Sequence, residues 1–406
     1  MNKRLIVINI YFSPHSFGGA TIVAEEISLC LQNIYGWNIL VITSHNDSSL
    51  PPYSLRRYCS KGLNIISINL PLILPDEEQI NNPKVAAIIE EIVEYYQPTS
   101  AHIHSIQSLG CGYFEILKKK NIKFVVTLHD CWWICHRQFM IASDKRYCFQ
   151  RKIDILRCKY CVDNPNKILD RNIYLKNQLN IADKLLAPSA FQRSLYVDND
   201  FPADKIVVNK NGIRLPTNRL KKRPREDGKV VFAFIGGPGP IKGSKLIINA
   251  FNALSRHDQY IIYMVDAAQN AGTTWKDADY WRVPGKIKFI PPYQQEAIDG
   301  FFAQVDILLF PSQWKESFGL TVREALTRNV WVIATDAGGV TEDIHDGING
   351  TIIPLDGDYK PLAHAIQSCL DRGPEFWRQY KNPFRNEIRG FHDQAKEIDQ
   401  ILKKMF

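Results

Sequence analysis

Short apolar runs alternate with segments of helical periodicity along the whole chain. In the first half the runs are RLIVINIYF, WNILVITS, NIISINL, SAHIHS, KFVVTLHD, NIADKLLAPS and KIVVNKNGI, and GGATIVAEEISLCLQNI has helical spacing. The pattern restarts with KVVFAFIGG, a helix from SKLIINAFNAL, and the runs YIIYMV, IKFIPPY, QVDILLFPS, VWVIATD and GTIIPL. Such alternation is typical of parallel sheets with helices on both faces. Two successive series predict an α/β protein with two doubly wound, Rossmann-like domains.

The polar segment RLPTNRLKKRPREDGK separates the two series. It is rich in charge and proline, which places a domain boundary near 215–229. We therefore predict an N-terminal domain over 1–215 and a C-terminal domain over 216–406, whose last helix is a candidate to pack back on the first domain. A chain of 406 residues is long enough for two cores of ordinary size.

Composition indicates a soluble globular protein, with 45% hydrophobic and 23% charged residues. The first residues loosely imitate a signal peptide, but the apolar run is short, contains Asn9 and lacks a small-residue cleavage site, so a buried first strand is the better interpretation. No apolar run approaches the ~20 residues that span a bilayer. The nine cysteines show no secretory context, which favours a reducing cytoplasm.

The net charge of +8 is concentrated in residues 118–161, here the basic stretch. Its bases are Lys118, Lys119, Lys120, Lys123, Arg137, Lys145, Arg146, Arg151, Lys152, Arg157 and Lys159. The acids there are Asp130, Asp144 and Asp154, so the local excess equals the charge of the whole chain. Two interpretations stay open: a solvated basic loop, or a surface for anionic lipid or a phosphorylated acceptor. Nucleic acid is disfavoured because no nucleic-acid-binding motif accompanies the charge.

Three loops after predicted strands are candidates for ligand binding, because ligands of open parallel sheets lie beyond the carboxyl ends of the strands. In SPHSFGGA, Gly18 and Gly19 precede a helix and would allow a ligand close to the backbone, although a Gly–Gly turn is common. In FIGGPGPIKGSKL, Gly237 and Lys242 stand between a strand end and a helix start, which suits a diphosphate. This loop matches neither the dinucleotide nor the Walker fingerprint, which disfavours a dehydrogenase.

The third loop, in PSQWKESFGLTVREAL, contains two carboxylates eight positions apart, Glu316 and Glu324. Between them, Ser317, Phe318, Gly319 and Leu320 offer backbone N–H groups at a predicted helix start. Eight helical residues span at most ~12 Å, roughly the distance from sugar to ribose in a nucleotide sugar. Taken alone, the pair could also be a helix-start acid and a surface acid. The glycine-rich TDAGGVTEDI with Glu342 follows.

ESFGLTVREAL, followed by VIATDAGGVTEDIHDGINGTIIP, resembles the donor site of retaining glycosyltransferases of family 4, which have the GT-B fold of two domains facing across a cleft. The segments FGGA, APSAFQRSL, KNGI, IKG and PSQWKESFG are similar to that family and occur in its order. The resemblance extends from FGGA to about Pro354, and the enzymes that it points to include bacterial glycosyltransferases of surface-polysaccharide synthesis. Many members have an arginine in the glycine loop ahead of the lysine; GGPGPI has none, so Lys242 acts alone or another cation replaces it.

The resemblance implies a role for each matching residue. Glu324 would bind the ribose hydroxyls, Glu316 the transferred sugar and Lys242 the diphosphate, while Gly18 and Gly19 close over the reacting end. His129 in TLHDCWW matches the family's histidine near the donor sugar, although a lone histidine is more often a core residue. His102 and His104 lie on one strand face and are interpreted as structural or supporting residues. The DAD triplet Asp277–Asp279 is discounted as a metal site, since the same spacing recurs at Asp198–Asp200 and Asp356–Asp358.

Four cysteines, Cys135, Cys148, Cys158 and Cys161, have the spacing C-x12-C-x9-C-x2-C within a loop at about 131–165. Four thiolates could hold a tetrahedral structural zinc that staples this basic loop. Unpaired thiols are the alternative. Similar loops after TLHD occur in some members of the family, which favours a structural role.

Together with the basic stretch, the resemblance implies a hexosyltransferase-type retaining glycosyltransferase at the inner face of the cytoplasmic membrane. It would move a sugar from a UDP- or GDP-sugar to a lipid-linked or saccharide acceptor in surface-polysaccharide synthesis, without a catalytic cofactor. A sugar-nucleotide epimerase on the same fold and a non-catalytic sugar- or lipid-binding protein are the alternatives.

Overall fold

The structure is a computed structural model that describes residues 3–16, 18–162, 166–216, 228–266, 269, 274, 281–293 and 295–405. The chain forms two compact units. The first contains residues 1–143, 148–212 and 390–406, and the second contains residues 144–147 and 213–389. Most of the predicted linker, 217–227, lies outside the described residues, as do Asp277–Asp279 and the last part of the cysteine loop, 163–165.

An eight-stranded sheet forms the centre of the first unit, in the order β3-β4-β2-β1-β5-β6-β7-β8. Its strands are β1 (Arg4–Ile8), β2 (Asn38–His45), β3 (Leu55–Ser60), β4 (Leu63–Asn69), β5 (Ser100–Ile103), β6 (Lys123–Thr127), β7 (Lys184–Ala187) and β8 (Ile206–Val208). The helices are α1 (Gly18–Asn33), α2 (Asp76–Ile80), α3 (Pro83–Tyr96), α4 (Phe114–Lys119), α5 (Ile155–Cys158), α6 (Asn166–Leu179) and α7 (Ala190–Asp198). All neighbouring strands except one pair are parallel. The strand order reverses beside β1, so the loops after β1 and β5 lie next to each other.

One edge of the first sheet departs from the predicted parallel arrangement, because β3 pairs antiparallel with β4. The two strands are joined by Lys61 and Gly62, both with positive φ, as a tight two-residue hairpin turn requires. The sequence pattern missed β3 because its segment, LRRYCS, is largely exposed and carries two arginines in place of an apolar run. Charged side chains on such an edge also discourage pairing with another chain.

A six-stranded parallel sheet forms the second unit, in the order β11-β10-β9-β12-β13-β14. Its strands are β9 (Val230–Phe234), β10 (Tyr260–Val265), β11 (Lys286–Ile290), β12 (Ile307–Phe310), β13 (Trp331–Thr335) and β14 (Gly350–Ile353). The helices are α8 (Ser244–Asn252), α9 (Ile298–Phe302), α10 (Leu320–Thr327), α11 (Lys360–Asp371) and α12 (Gly373–Gln379). The order reverses between β9 and β12, which is where a doubly wound sheet opens a crevice for a ligand.

Both faces of the second sheet are covered by apolar side chains, which is why its strands read as continuous apolar runs. In β9, Phe232 and Phe234 pack into one core cluster, while Val231 and Ala233 pack into the other. Helix α11 covers the first face through Ile366, and α10 covers the second through Val322.

The last helix, α13 (Phe391–Lys404), belongs to the first unit. It lies against α1. The buried Trp37 donates a hydrogen bond from Nε1 to Asp399 Oδ1 at 2.9 Å, and Gly212 N donates to Gln394 Oε1 at 2.7 Å. Of the helices that the described residues form, none has the length and apolar character needed to cross a bilayer.

Candidate active site

The glycine loop, residues 235–243, leads from β9 into α8. Pro240–Lys242 form a 3-10 turn, and α8 begins directly after Gly243, whose φ is 84°. A Cβ atom at Gly243 would lie 2.0 Å from the carbonyl oxygen of Pro311. Only glycine therefore permits both this backbone conformation and the close approach to the segment after β12. The approach brings Lys242 to the second candidate loop.

The Glu316 loop, residues 311–319, leads from β12 into α10. It is tied to the glycine loop by Gln313 N, which donates to Ile241 O at 2.7 Å. Helix α10 begins at Leu320 with Gly319 at the N-cap, and no side chain caps it. Backbone N–H groups at such a helix start carry partial positive charge and favour an anionic ligand.

Lys242 and Glu316, which the resemblance assigns to the diphosphate and the sugar, contact each other. Lys242 Nζ lies 2.9 Å from Glu316 Oε1, and Ser312 Oγ donates to the same oxygen at 2.5 Å. The Glu316 side chain is only 12% exposed, and the ring of Trp314 lies 5.1 Å from Lys242 Nζ. The pair places a positive and a negative group at the crevice between β9 and β12.

Glu324 occupies the second turn of α10 and is almost fully buried. Burial raises the pKa of its carboxyl to about 7, against the charge of Arg328 and a hydrogen bond from Gln295, which favour the ionised form. Arg328 also donates from Nη1 to the backbone carbonyl of Glu324 at 3.0 Å. A ligand that donates hydroxyl hydrogen bonds would stabilise the carboxylate and offset its burial.

A third loop, here the GG loop (residues 336–340), follows β13 and packs on the Glu316 loop. Glu316 N donates to Ala337 O at 3.0 Å, and Gly339 N donates to Glu316 O at 2.9 Å. These two bonds form an isolated parallel bridge. The backbone of Glu316 is therefore fixed on both sides by the GG loop.

Gly237 lies in the glycine loop with a φ of 83°, whereas Gly18, Gly19 and His129 belong to the first unit. Helix α1 begins at Gly18, and both Gly18 and Gly19 are exposed, so their backbone is open to a ligand. His129 follows β6, and its Nε2 lies 2.9 Å from His104 Nδ1. Burial lowers the pKa of His129 to about 3, which keeps the ring neutral.

His102 and His104 do lie on one strand face, with ring centroids 4.0 Å apart. His102 is joined to Thr127 Oγ1 through Nε2 at 2.8 Å. Burial also lowers the pKa of both rings. One ring of the His104–His129 pair must donate and the other accept, so the tautomers of the two rings are coupled.

All four predicted zinc ligands, Cys135, Cys148, Cys158 and Cys161, line one cavity and are free thiols. Burial raises the pKa of Cys135 to about 11 and also raises the pKa of Cys148 and Cys158. In the part of the chain that the structure describes, no group of three or more His, Cys, Asp or Glu side chains is arranged to hold a metal ion. Both interpretations of these cysteines, the zinc staple and unpaired thiols, stay predictions.

The basic stretch is less open than its composition indicates, because several of its bases form ion pairs. Lys120 lies 2.7 Å from Glu94, Lys123 lies 3.0 Å from Asp183 and Lys152 lies 2.8 Å from Asp200. Arg151 pairs with Asp198. All four acids lie outside residues 118–161, so a count of charge within the stretch could not include them.

Sequence reasoning missed Arg323, whose guanidinium is fully buried and bonded to both the Glu316 loop and the GG loop. The available signal was a charged residue between Val322 and Ala325, which both pack into the core. A helical pattern alone does not reveal what such a residue binds.

Comparison with known proteins gives the family context. A model for "Glycosyltransferase Family 4" matches residues 17–215, and a model for "Glycosyl transferases group 1" matches residues 217–386. The D-inositol 3-phosphate glycosyltransferase of Mycobacterium sp. (strain KMS) is 30% identical over 162 residues. That match covers 38% of this chain and 35% of the relative, so it spans about a third of the relative's length.

Solved structures show the same fold at low sequence identity. Sucrose-phosphate synthase from Thermosynechococcus elongatus aligns with a TM-score of 0.71 at 16% identity, covering 100% of this chain and 99% of that one. HepE of Anabaena, solved in complex with UDP-glucose, aligns with a TM-score of 0.65 at 16% identity, covering 99% of both chains. The two family models adjoin and leave only short ends unmatched, and the two doubly wound units agree with the structural matches. The chain belongs to the family 4 glycosyltransferases and has the GT-B fold.

Proposed function

We propose that this protein is a retaining, hexosyltransferase-type glycosyltransferase that uses a UDP- or GDP-sugar. The acceptor would be a hydroxyl of a lipid-linked or oligosaccharide substrate in surface-polysaccharide synthesis. The observation that carries the proposal is the partly buried Lys242–Glu316 pair beside the uncapped start of α10, with Glu324 buried one turn further on. A cation, free amides and two carboxylates match the groups of a nucleotide sugar.

Each group has one proposed partner in the donor. Lys242 and the amides of Ser317, Phe318, Gly319 and Leu320 would meet the diphosphate, together with the backbone of Gly237. Glu316 would accept hydrogen bonds from the transferred sugar, and Glu324 would accept them from the ribose. When the diphosphate binds, Lys242 would exchange its contact with Glu316 for phosphate oxygens, which releases the Glu316 carboxylate toward the sugar.

The proposed reaction replaces the bond between the anomeric carbon and the diphosphate oxygen with a bond to the acceptor oxygen, on the same face. The acceptor's proton would pass to an oxygen of the departing diphosphate, so the step needs no separate base and no divalent ion. Lys242 and the start of α10 would stabilise the negative charge on the leaving group, the electrostatic contribution that is usually largest in such transfers. The neutral His129 would hydrogen-bond near the donor sugar, with Gly18 and Gly19 beside it.

The donor class has independent support, since HepE shares the fold and was solved with UDP-glucose. The acceptor and the membrane contact rest on the basic loop. Arg157 and Lys159 are exposed there beside Leu156 and Tyr160, each of which is 73% exposed. Basic groups next to exposed apolar side chains suit the anionic inner face of the cytoplasmic membrane.

A binding screen over UDP, GDP and their sugars tests the proposal, followed by product analysis with the donor that binds. Transfer with retained anomeric configuration is expected. An epimerase would convert the nucleotide sugar without any acceptor, and a binding protein would give no turnover. Failure of both UDP and GDP to bind would refute the donor site itself.

A further inference from the structure

Arg323 has no assigned role, although it lies directly between the two loops that form the proposed donor site. It belongs to α10, one residue before Glu324, and its side chain is completely buried. A buried guanidinium is rare unless every donor is matched, because its transfer from water is costly. Its partners therefore indicate what it does.

Those partners belong to two parts of the chain, the end of the Glu316 loop and the 3-10 helix Gly339–Asp343 that begins in the GG loop. The guanidinium donates from Nη1 to the carbonyl oxygen of Phe318 in the Glu316 loop. Nη2 donates to the carbonyl oxygen of Gly339 in the GG loop at 2.7 Å, and Nε donates to Asp343 Oδ2 at 2.6 Å. One planar group thus joins the backbones of both loops and is itself anchored by a carboxylate.

Arginine suits this position because its donors point in several fixed directions within one plane. Lysine would offer one nitrogen, which cannot reach both carbonyl groups and Asp343 with the same geometry. Burial lowers the pKa of Arg323, and the charge of Asp343 opposes that change. The centroid of the Phe318 ring also lies 3.9 Å from the guanidinium carbon, so Arg323 contacts both the backbone and the side chain of Phe318.

Other contacts also join the two loops, among them an ion pair in which Lys315 Nζ lies 3.5 Å from Asp336 Oδ2. The Glu316 backbone makes its two bonds to Ala337 and Gly339. A Cβ atom at Gly319 would lie 3.0 Å from Val340 Cγ2, so the packing there is close. The two backbone bonds hold the middle of the Glu316 loop, whereas Arg323 bonds the carbonyl oxygen of Phe318 near its end, beside the amides that lead into α10.

We propose that Arg323 is a positioning residue that holds the Glu316 loop and the GG loop together and so fixes the amides that would bind the donor diphosphate. The inference rests on the proposed function, because donor binding at these loops is itself proposed. Arg323 does not contact the donor, since its guanidinium has no exposed surface. It is therefore not the cation that replaces the missing arginine of the glycine loop.

The principal test compares Arg323→Lys with the wild type by hydrogen exchange and by calorimetry with UDP and GDP. Hydrogen exchange should rise in peptides covering 316–320 and 336–340. It should stay unchanged in peptides from the strands of the six-stranded sheet. Affinity for the nucleoside diphosphate that binds the wild type should fall at least tenfold. Unchanged exchange in both loops, in a folded variant, would overturn the inference.

A matched control removes the effect of lower stability alone. Ile366→Ala truncates a fully buried side chain of α11 that packs on the opposite face of the same sheet. It should lower the melting temperature without changing exchange in the two loops or nucleoside diphosphate affinity. If Ile366→Ala reproduces the loss of affinity, the role of Arg323 is stability and the inference fails.

Asp343→Asn serves as a second variant if Arg323→Lys does not fold. Asparagine keeps the volume of the side chain but removes the charge that anchors the guanidinium. Hydrogen exchange in the same two loops should therefore rise, but by less than in Arg323→Lys. In the double variant, Arg323→Lys should raise hydrogen exchange in the two loops by less than it does in the otherwise wild-type protein, because the two residues act through one contact. Full additivity, or an Asp343→Asn variant with unchanged loops, would count against the inference.

The same experiments separate the inference from the proposed function. Exchange in the two loops is measured without any donor, so it reports on Arg323 even if the protein binds no nucleotide. Glu324→Ala, measured in parallel, reports on the donor site. Unchanged nucleoside diphosphate affinity in Glu324→Ala refutes the donor assignment and leaves the result for the loops standing.

Discussion

Two charged loops, one in each unit, hold their charges in opposite ways. In the Glu316 loop, the nearly buried carboxylate of Glu316 pairs with the partly buried Lys242 of the glycine loop, at the crevice where the strand order reverses. In the basic loop (residues 131–162), Arg151 and Lys152 pair with Asp198 and Asp200 on the surface. Exposed pairs contribute little energy and mainly neutralise each other. A desolvated pair costs free energy, so its presence at a crevice indicates a function.

The largest effect should come from removing the carboxylate of the Lys242–Glu316 pair. We expect Glu316→Ala to lower turnover roughly hundredfold, the size typical of losing one preorganised electrostatic contact. Nucleoside diphosphate affinity should change much less, because Lys242 keeps its position for the phosphate. Steady-state kinetics with the identified donor, together with calorimetry, measure both quantities. Equal losses in turnover and affinity would contradict the separate roles of Glu316 and Lys242.

A smaller loss is expected when the buried carboxylate of α10 is removed. Glu324→Ala should weaken binding of the nucleoside diphosphate by roughly 1.5–3 kcal/mol, because hydrogen bonds from the ribose to a charged group disappear. Calorimetry with UDP and GDP measures the change. Glu375→Ala, at the start of α12, serves as a surface control that should bind normally. Unchanged affinity in folded Glu324→Ala would rule out the ribose contact.

The same carboxyl predicts a dependence on pH. Its pKa is raised to about 7 by burial, so it is mostly protonated at pH 6 and mostly ionised at pH 8. Ribose hydroxyls donate hydrogen bonds, so they favour the ionised form, and affinity should rise by about tenfold over this range. In Glu324→Gln this part of the pH dependence of affinity should be absent, and only the part that comes from titration of the ligand's own phosphate should remain. An identical pH profile in wild type and Glu324→Gln would contradict the assignment.

The Glu316 loop shows which features of the candidate site could be predicted from the sequence. β9 and β12 were predictable because strands buried on both faces must be apolar, and the site lies where their order reverses. The spacing of Glu316 and Glu324 and the position of Lys242 were readable too. The contact between Lys242 and Glu316 was not, because it joins residues 74 positions apart.

The basic loop shows where sequence reasoning ends. The charge excess of residues 118–161 was counted correctly. The partners of Arg151 and Lys152, however, are Asp198 and Asp200, which lie at and just after the end of α7. β3 was missed because an exposed edge strand has no apolar run. Long-range pairing depends on the fold, and a single sequence contains no signal for it unless the partners share a motif.

Membrane binding would sharpen the comparison by separating paired from unpaired bases. No ion pair is found for Arg157 or Lys159 within the described residues, and both are exposed. The variant Arg157→Glu with Lys159→Glu should lose binding to vesicles that contain anionic lipid, since each base near such a surface is worth about 1 kcal/mol. Binding by the wild type should also fade as salt rises.

The control for that experiment is Arg151→Glu with Lys152→Glu, which reverses the same amount of charge at paired positions. It should reduce the melting temperature by placing glutamates against Asp198 and Asp200. Cosedimentation compares the two variants, and donor affinity should be intact in both. Undiminished vesicle binding by the Arg157 and Lys159 variant would exclude this surface as the membrane contact.

The smallest effect concerns the thiols that line the cavity of the basic loop. Burial raises the pKa of Cys135 to about 11, and alkylation requires the thiolate, so this thiol should react slowly at pH 8 and faster toward pH 10. The exposed Cys59 in β3 is the internal reference and should be modified first. Mass spectrometry after timed treatment with iodoacetamide gives both rates from one sample. Metal analysis of the same preparation decides between the zinc staple and unpaired thiols. About one zinc per chain, with all four loop thiols protected until a chelator is added, would establish the staple, and zinc-free protein would establish unpaired thiols.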